Sequence, residues 1–217
     1  MLFLTTAHAL ALVGPALRGP RQHLLLGSQP PHHLRVIQSI TGLAAETKGG
    51  STASAEQAAE MELLAGMLEQ QNRCEAATTA PSLIDGEWDQ VYTDNPVGIT
   101  LSNGKLMRRK LLGPFRGRVT QLVDTAAPSA QYRQRIQTWA GLLRGELKVD
   151  VTVAGPSSWD VSFDCFTVSL LRRLPLRSRP AAYQGTWSHT YVDADTRVMR
   201  TAKKGGGQFL FILRRRR

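Results

Sequence analysis

The chain has 217 residues, 27 Lys and Arg against 17 Asp and Glu, and a formal net charge of +10. That length predicts one domain with room for an appendage, and no apolar run approaches the roughly 20 residues of a membrane-spanning helix, which excludes an integral membrane protein held by one. Cys74 and Cys165 share no redox or metal-ligand spacing, so both read as reduced structural thiols and no disulfide framework is expected.

Residues 1–45 contain no Asp or Glu, and Arg18, Arg21 and Arg35 are their only formal charges. His8, His23, His32 and His33 fall in the same stretch. An acid-poor, Arg-bearing start is the composition of an organelle transit peptide, and the apolar stretch 2–13 resembles the core of a secretory signal. Residues 1–33 are therefore expected to be a disordered targeting leader, either a transit segment alone or a signal followed by one. The plain alternative is an unstructured N-terminus, because Ser28 and Ser39 are the only serines of this stretch.

Two amphipathic helices should follow, in a helical segment spanning residues 34–80. Over 34–45, Val36, Ile37, Ile40, Leu43 and Ala44 recur at helical spacing until Gly49-Gly50 stops the run. Ser54 opens the second helix with Gln57 in the capping-box position and Met61, Leu64, Ala65 and Leu68 on one face. From residue 81 to 217 the apolar period changes to two. Alternating runs at 84–92, 105–112, 115–123, 132–138, 143–153, 159–168, 185–192, 196–201 and 208–213 predict eight or nine short strands. Asn103-Gly104 is a two-residue hairpin signal, and Gly113-Pro114, Gly155-Pro156 and the glycines at 205–207 mark further turns. The fold class is mainly β, an up-and-down antiparallel barrel or sandwich of eight or nine strands preceded by two helices. A barrel of that size has an interior fit for one small ligand.

Reactive groups are sparse. His189 is the one histidine after the leader, and no G-x-S-x-G, H-E-x-x-H or Walker pattern occurs. His189 lies between Trp187 and Tyr191 with Asp193 and Asp195 just beyond, but strand alternation already accounts for that cluster. Lys203-Lys204 and the three glycines run into a strand rather than a helix, so they make a hairpin loop and not a phosphate cradle. No catalytic residue, metal site or cofactor is assigned, and the protein is not expected to be an enzyme.

Three ordered segments resemble the plastid-lipid-associated protein family, the plastid fibrillins. Gly86-x-Trp88 followed by Val91-Tyr92-Thr93 is similar to the family's opening strand, and residues 63–72 resemble the helix before it. Residues 117–124, Arg144-Gly145-Glu146-Leu147 and residues 158–164 resemble its middle strands. The most specific match is Trp187, Thr190-Tyr191-Val192-Asp193 and Arg197-Val198, ending in Phe209-Leu210-Phe211-Ile212-Leu213. The likeness runs over 34–214, and departs from the family at Asn72-Arg73 and at the Lys203-Lys204 turn. It implies a lipocalin-like barrel and a plastid (chloroplast) address. It also implies lipid-mediated association with plastoglobules or thylakoids, and a hydrophobic ligand such as a fatty acid, carotenoid or prenylquinone.

In such a barrel Gly86 and Trp88 close one end, and Arg197 or Arg200 caps the indole through a cation–π contact. The apolar phase of the longest strands supplies a candidate cavity wall of Leu147, Val149, Val151, Trp159, Val161, Phe163, Phe209, Phe211 and Leu213. Basic tracts holding Arg108, Arg109, Lys110, Arg172, Arg173, Arg214 and Arg215 form a candidate rim facing an anionic membrane or lipid-droplet surface. The 6% aromatic content leaves too few stacking residues among those bases for a nucleic-acid partner. A second reading is a structural coat or scaffold of lipid bodies with no internal ligand.

Overall fold

The computed structural model describes residues 32–71, 81–95, 97–100, 106–108, 118–125, 131–137, 143–170, 174–180, 184–202 and 206–217. The expected leader lies outside them, apart from His32 and His33. Those two histidines open the first helix, α1 (His32–Glu46), two residues ahead of the expected start. The second helix, α2 (Ala55–Glu69), begins as its sequence directs. The Ser54 hydroxyl accepts from the Gln57 amide at 3.2 Å, and the Gln57 side chain accepts from the Ser54 amide at 3.0 Å, so two otherwise orphaned donors are satisfied.

A four-residue turn of helix, α3 (Pro81–Ile84), leads into the strands β1 (Gly86–Thr93), β2 (Val97–Thr100), β3 (Leu106–Arg108), β4 (Arg118–Asp124), β5 (Gln131–Gln137) and β6 (Leu143–Gly155). Then come β7 (Ser158–Leu170), β8 (Leu174–Pro180), β9 (Gln184–Val192), β10 (Thr196–Ala202) and β11 (Gln208–Arg215). Nine of these form one antiparallel sheet in the order β6-β5-β4-β1-β11-β10-β9-β7-β8, and β6 also pairs with β7, so the ladder curls back on itself. β2 and β3 pair apart from it, on either side of the expected Asn103-Gly104 turn, which lies outside the described residues. Residues 97–100 and 174–180 lie in none of the expected strand runs yet form β2 and β8, the latter paired with the second half of β7, so the described residues hold eleven strands where eight or nine were expected.

The curled sheet has two apolar faces. Its concave face gathers Trp88, Val123, Leu147, Val149, Val151, Trp159, Val161, Phe166, Trp187, Val192, Met199 and Leu213 from seven strands. The opposite face, with Tyr92, Tyr191, Val198, Leu210 and Ile212, packs on Val36, Ile40 and Leu43 of α1 and Met61, Ala65 and Leu68 of α2. Register shifts decide which face several residues join. One between Gln90 and Tyr92 puts Tyr92 on the helix side, and one opposite Val198/Met199 does the same for Tyr191. A third, opposite Leu147/Val149, keeps both Phe163 and Phe166 on the concave face. Each inserts a residue that alternation does not count. The turn after α1 also docks on the sheet. Gly50, at a φ of 87°, comes so close that a Cβ there would lie 2.2 Å from the Thr93 carbonyl oxygen, an approach open to glycine alone.

Candidate functional site

The concave face is closed at one end around Trp88. Its indole Nε1 donates to the Ile84 carbonyl at 2.7 Å, and the ring is fully buried. The Arg197 guanidinium lies 4.9 Å from the ring centroid and that of Arg215 lies 4.3 Å from it, contacts each worth about 0.5–2 kcal/mol. Arg215 fastens the surrounding chain as well, donating to the carbonyls of Leu83, Asp85 and Ala194, each at 2.6 Å. It therefore joins α3 to the β9–β10 turn. Gly86, at a φ of 120°, leaves room for Arg215, whose Nη1 would sit 3.0 Å from a Cβ there.

Two expectations are corrected here. Arg200 does not cap the indole. It points to the helix side, where Nη1 meets Glu62 at 2.6 Å and Nε meets Glu69 at 2.6 Å, and these carboxylates push its pKa up. Nor is Arg215 a free member of a membrane rim, since its guanidinium is spent on Trp88 and three carbonyls. Of the remaining rim residues, Arg214 is exposed on β11 and Arg108 belongs to β3, while Arg109, Lys110, Arg172 and Arg173 lie outside the described residues. Neighbouring arginines are also engaged: Arg216 meets Glu87 at 3.1 Å and Arg217 meets Asp195 at 2.9 Å.

The expected wall residues Leu147, Val149, Val151, Trp159 and Val161 are buried on the concave face, with Phe163 and Phe211 half-buried against them. Phe209 shares their phase on β11 and is half-buried. Phe166, Val192 and Met199 belong to the same surface, and sequence reasoning missed them. For Phe166 the reason is the register shift, which breaks the alternation between Phe163 and Phe166.

Four polar or amphipathic side chains share this apolar interior. The Arg197 Nη2 donates to the Gln121 Oε1, and both residues are buried. One inward position along β10, Met199 pairs with His189 on β9. The His189 ring meets the Trp159 ring edge to face, with centroids 4.4 Å apart. His189 and Trp159 are each 1% exposed. Neither His189 ring nitrogen, nor the Trp159 Nε1, has a hydrogen-bond partner among the described residues. Burial, with the Arg197 charge second, holds the His189 pKa well below its usual value, so the imidazole is neutral. Asp193 does not orient it. One Asp193 oxygen accepts from the Tyr191 hydroxyl at 2.6 Å, and the other accepts from the amides of Asp195 and Thr196 at 2.7 and 2.6 Å. Burial, with that carboxylate second, pushes the Tyr191 pKa up. The aspartate thus shapes the β9–β10 turn and takes no part in a Ser/His/Asp relay through His189.

Two further features bear on what the molecule can hold. An open groove of about 640 Å³ lies on the helix side, bordered by Ala58, Glu62, Tyr92, Asp94, Arg200 and Leu210. Its border carries Glu62, Asp94 and the ion-paired Arg200. No group of three metal-ligating side chains occurs among the described residues, and no described helix is long and apolar enough to cross a membrane.

A family model, PAP_fibrillin, matches residues 35–214. A search of curated proteins finds no match. Among solved structures, a redesigned beta barrel is similar at 14% identity, covering 67% of this chain and 99% of its own, with a TM-score of 0.33.

Proposed function

The chain belongs to the PAP_fibrillin family, the plastid-lipid-associated proteins, and from that premise we propose that it binds or sequesters a hydrophobic small molecule within a lipocalin-like barrel at plastoglobule or thylakoid surfaces. Membership associates it with plastids and with lipids. The finer reading, of a carrier for a fatty acid, carotenoid or prenylquinone, draws its support from one observation. The two helices cover one face of the sheet, which leaves the other to enclose an apolar surface built from seven strands. A wall of Leu147, Val149, Val151, Trp159, Val161, Phe163, Phe209 and Phe211 would contact the ligand, and Gly86, Trp88 and Arg197 would close the end beneath it. Arg108, Arg109, Lys110, Arg172, Arg173 and Arg214 would then orient the opening toward an anionic lipid surface. Residues 1–33 would direct import and be removed.

The test is to express the full chain, purify it without detergent, extract it with organic solvent and identify co-purified lipid by mass spectrometry. A stoichiometric hydrophobic molecule is the expected result. Recovery of no lipid, together with no binding of an added fluorescent fatty acid, would replace the carrier by the structural-coat reading, which shares its fold and address.

A further inference from the structure

We propose that His189 and Trp159 form a polar head site inside the curled sheet, where an apolar ligand places a hydrogen-bond-accepting oxygen. The inference rests on the carrier reading and adds the chemistry of one end of its ligand. Three facts carry it. Both side chains are buried to 99%, in an interior lined mainly by Val, Leu, Phe, Trp and Met side chains, with Gln121 and Arg197 as its other buried polar members. Their rings touch edge to face at 4.4 Å, which brings the indole N–H and the imidazole nitrogens into one neighbourhood. All three nitrogens lack a partner among the described residues.

Leaving a buried polar atom unsatisfied is destabilising, and a phenylalanine or leucine at either position would avoid that cost. A neutral imidazole offers one N–H donor and one acceptor, and indole offers one donor. Two donors side by side suit an oxygen with two lone pairs, as in a carboxylate or a quinone carbonyl. The backbone holds this pair rigidly. The His189 amide donates to the Ser157 carbonyl at 2.7 Å, and Trp159 stands opposite Trp187 in the β7–β9 ladder. Arg197, one inward position away on β10, sets a positive charge on the same side of the interior. Of the two oxygen heads, the carboxylate therefore gains more.

The experiment measures binding of three probes to the full chain: pyrenedecanoate, with a carboxylate; decylplastoquinone, with quinone carbonyls; and decylpyrene, with no oxygen. An oxygen-headed probe is expected to bind about tenfold more tightly than decylpyrene, as one to two buried hydrogen bonds would give. W159F and H189L should erase that preference, and H189Q, which keeps a donor and an acceptor, should retain it. In the wild-type protein the Trp159 indole N–H resonance, identified by its absence from W159F, should shift on binding an oxygen-headed probe and stay put with decylpyrene. That shift reads the site directly, whatever the variants do to folding. A carboxylate preference names a fatty-acid-like head and a quinone preference a prenylquinone-like one. Binding without head preference, or with an unmoved Trp159 resonance, would overturn the head site and leave the carrier reading standing. Failure of all three probes to bind would overturn both.

Discussion

Trp88 and His189 show how differently two buried side chains with ring N–H groups are handled in one interior. The indole of Trp88 has its acceptor in Ile84 and two guanidinium groups over its ring, so its polarity is answered inside the fold. Among the described residues the His189 ring has no hydrogen-bond partner; the Trp159 ring lies beside it and the Arg197 charge nearby. Its pKa is lowered in the folded state, so below about pH 6.5 the unfolded chain takes up a proton that the folded chain refuses. Its contribution to stability is therefore full above pH 6.5 and is lost as the pH falls, at up to about 1.4 kcal/mol per pH unit. Urea midpoints compared at pH 7.5 and 5.5 should drop more in the wild type than in H189Q, and equal drops would show that His189 titrates freely in the folded protein. Sequence alone identified Trp88 by its Gly-x-Trp context. It offered Arg197 and Arg200 as equal candidates for the cap, because strand alternation separates 197 from 200 only once the starting face is known.

At the scale of elements, α2 is fixed to the sheet by more than apolar packing. Glu69 accepts from Arg200 Nε at 2.6 Å, from Arg200 Nη2 at 3.0 Å and from the Thr190 hydroxyl at 2.6 Å. Glu69 and Arg200 are largely shielded from solvent, with side chains 20% and 12% exposed, so screening weakens them less than an open surface pair. Replacing Glu69 by Ala should cost about 1–3 kcal/mol. It should also speed amide hydrogen exchange in residues 55–69 ahead of the strands; unchanged exchange there would mean that the apolar face alone holds the helix. Most of the strands, though not β2 or β8, were legible, because a period of two with polar partners leaves few alternatives. Their register was not. Tyr92, Tyr191 and Phe166 change face at insertions set by the pairing partner, and a single sequence carries no mark of its partner's spacing. β8 escaped notice because Pro175 and Pro180 read as punctuation, although both are compatible with a strand that has a neighbour on one side only.

For the whole molecule, the excess of positive charge is less available than a count of arginines suggests. Arg215, Arg216 and Arg217 have partners within the chain, whereas Arg214 is exposed. Flotation with anionic vesicles should accordingly show R214Q binding about fivefold more weakly at low salt, the effect of one charge of about 1 kcal/mol near a lipid surface. R215Q should instead lower the urea midpoint by unfastening Trp88. A vesicle-binding loss confined to R215Q, with its fold intact, would reverse that assignment. The global architecture was largely readable, as two helices followed by a run of antiparallel strands, while the concave site was readable only as a list of apolar positions. Its polar members, Gln121, Arg197 and His189, each look unremarkable in their own strand and acquire meaning only when distant segments converge. The order of the sheet has one more outcome. A ladder that curls back hides its hydrogen-bonding borders, but β8 branches off β7 and ends the sheet with a border of its own. Such a margin invites a strand from another molecule. Here the margin is built from Leu174, Pro175, Leu176, Arg177, Ser178, Arg179 and Pro180. Pro175 and Pro180 withhold amide donors there, so this border of the main sheet is poorly equipped to seed fibrous self-association.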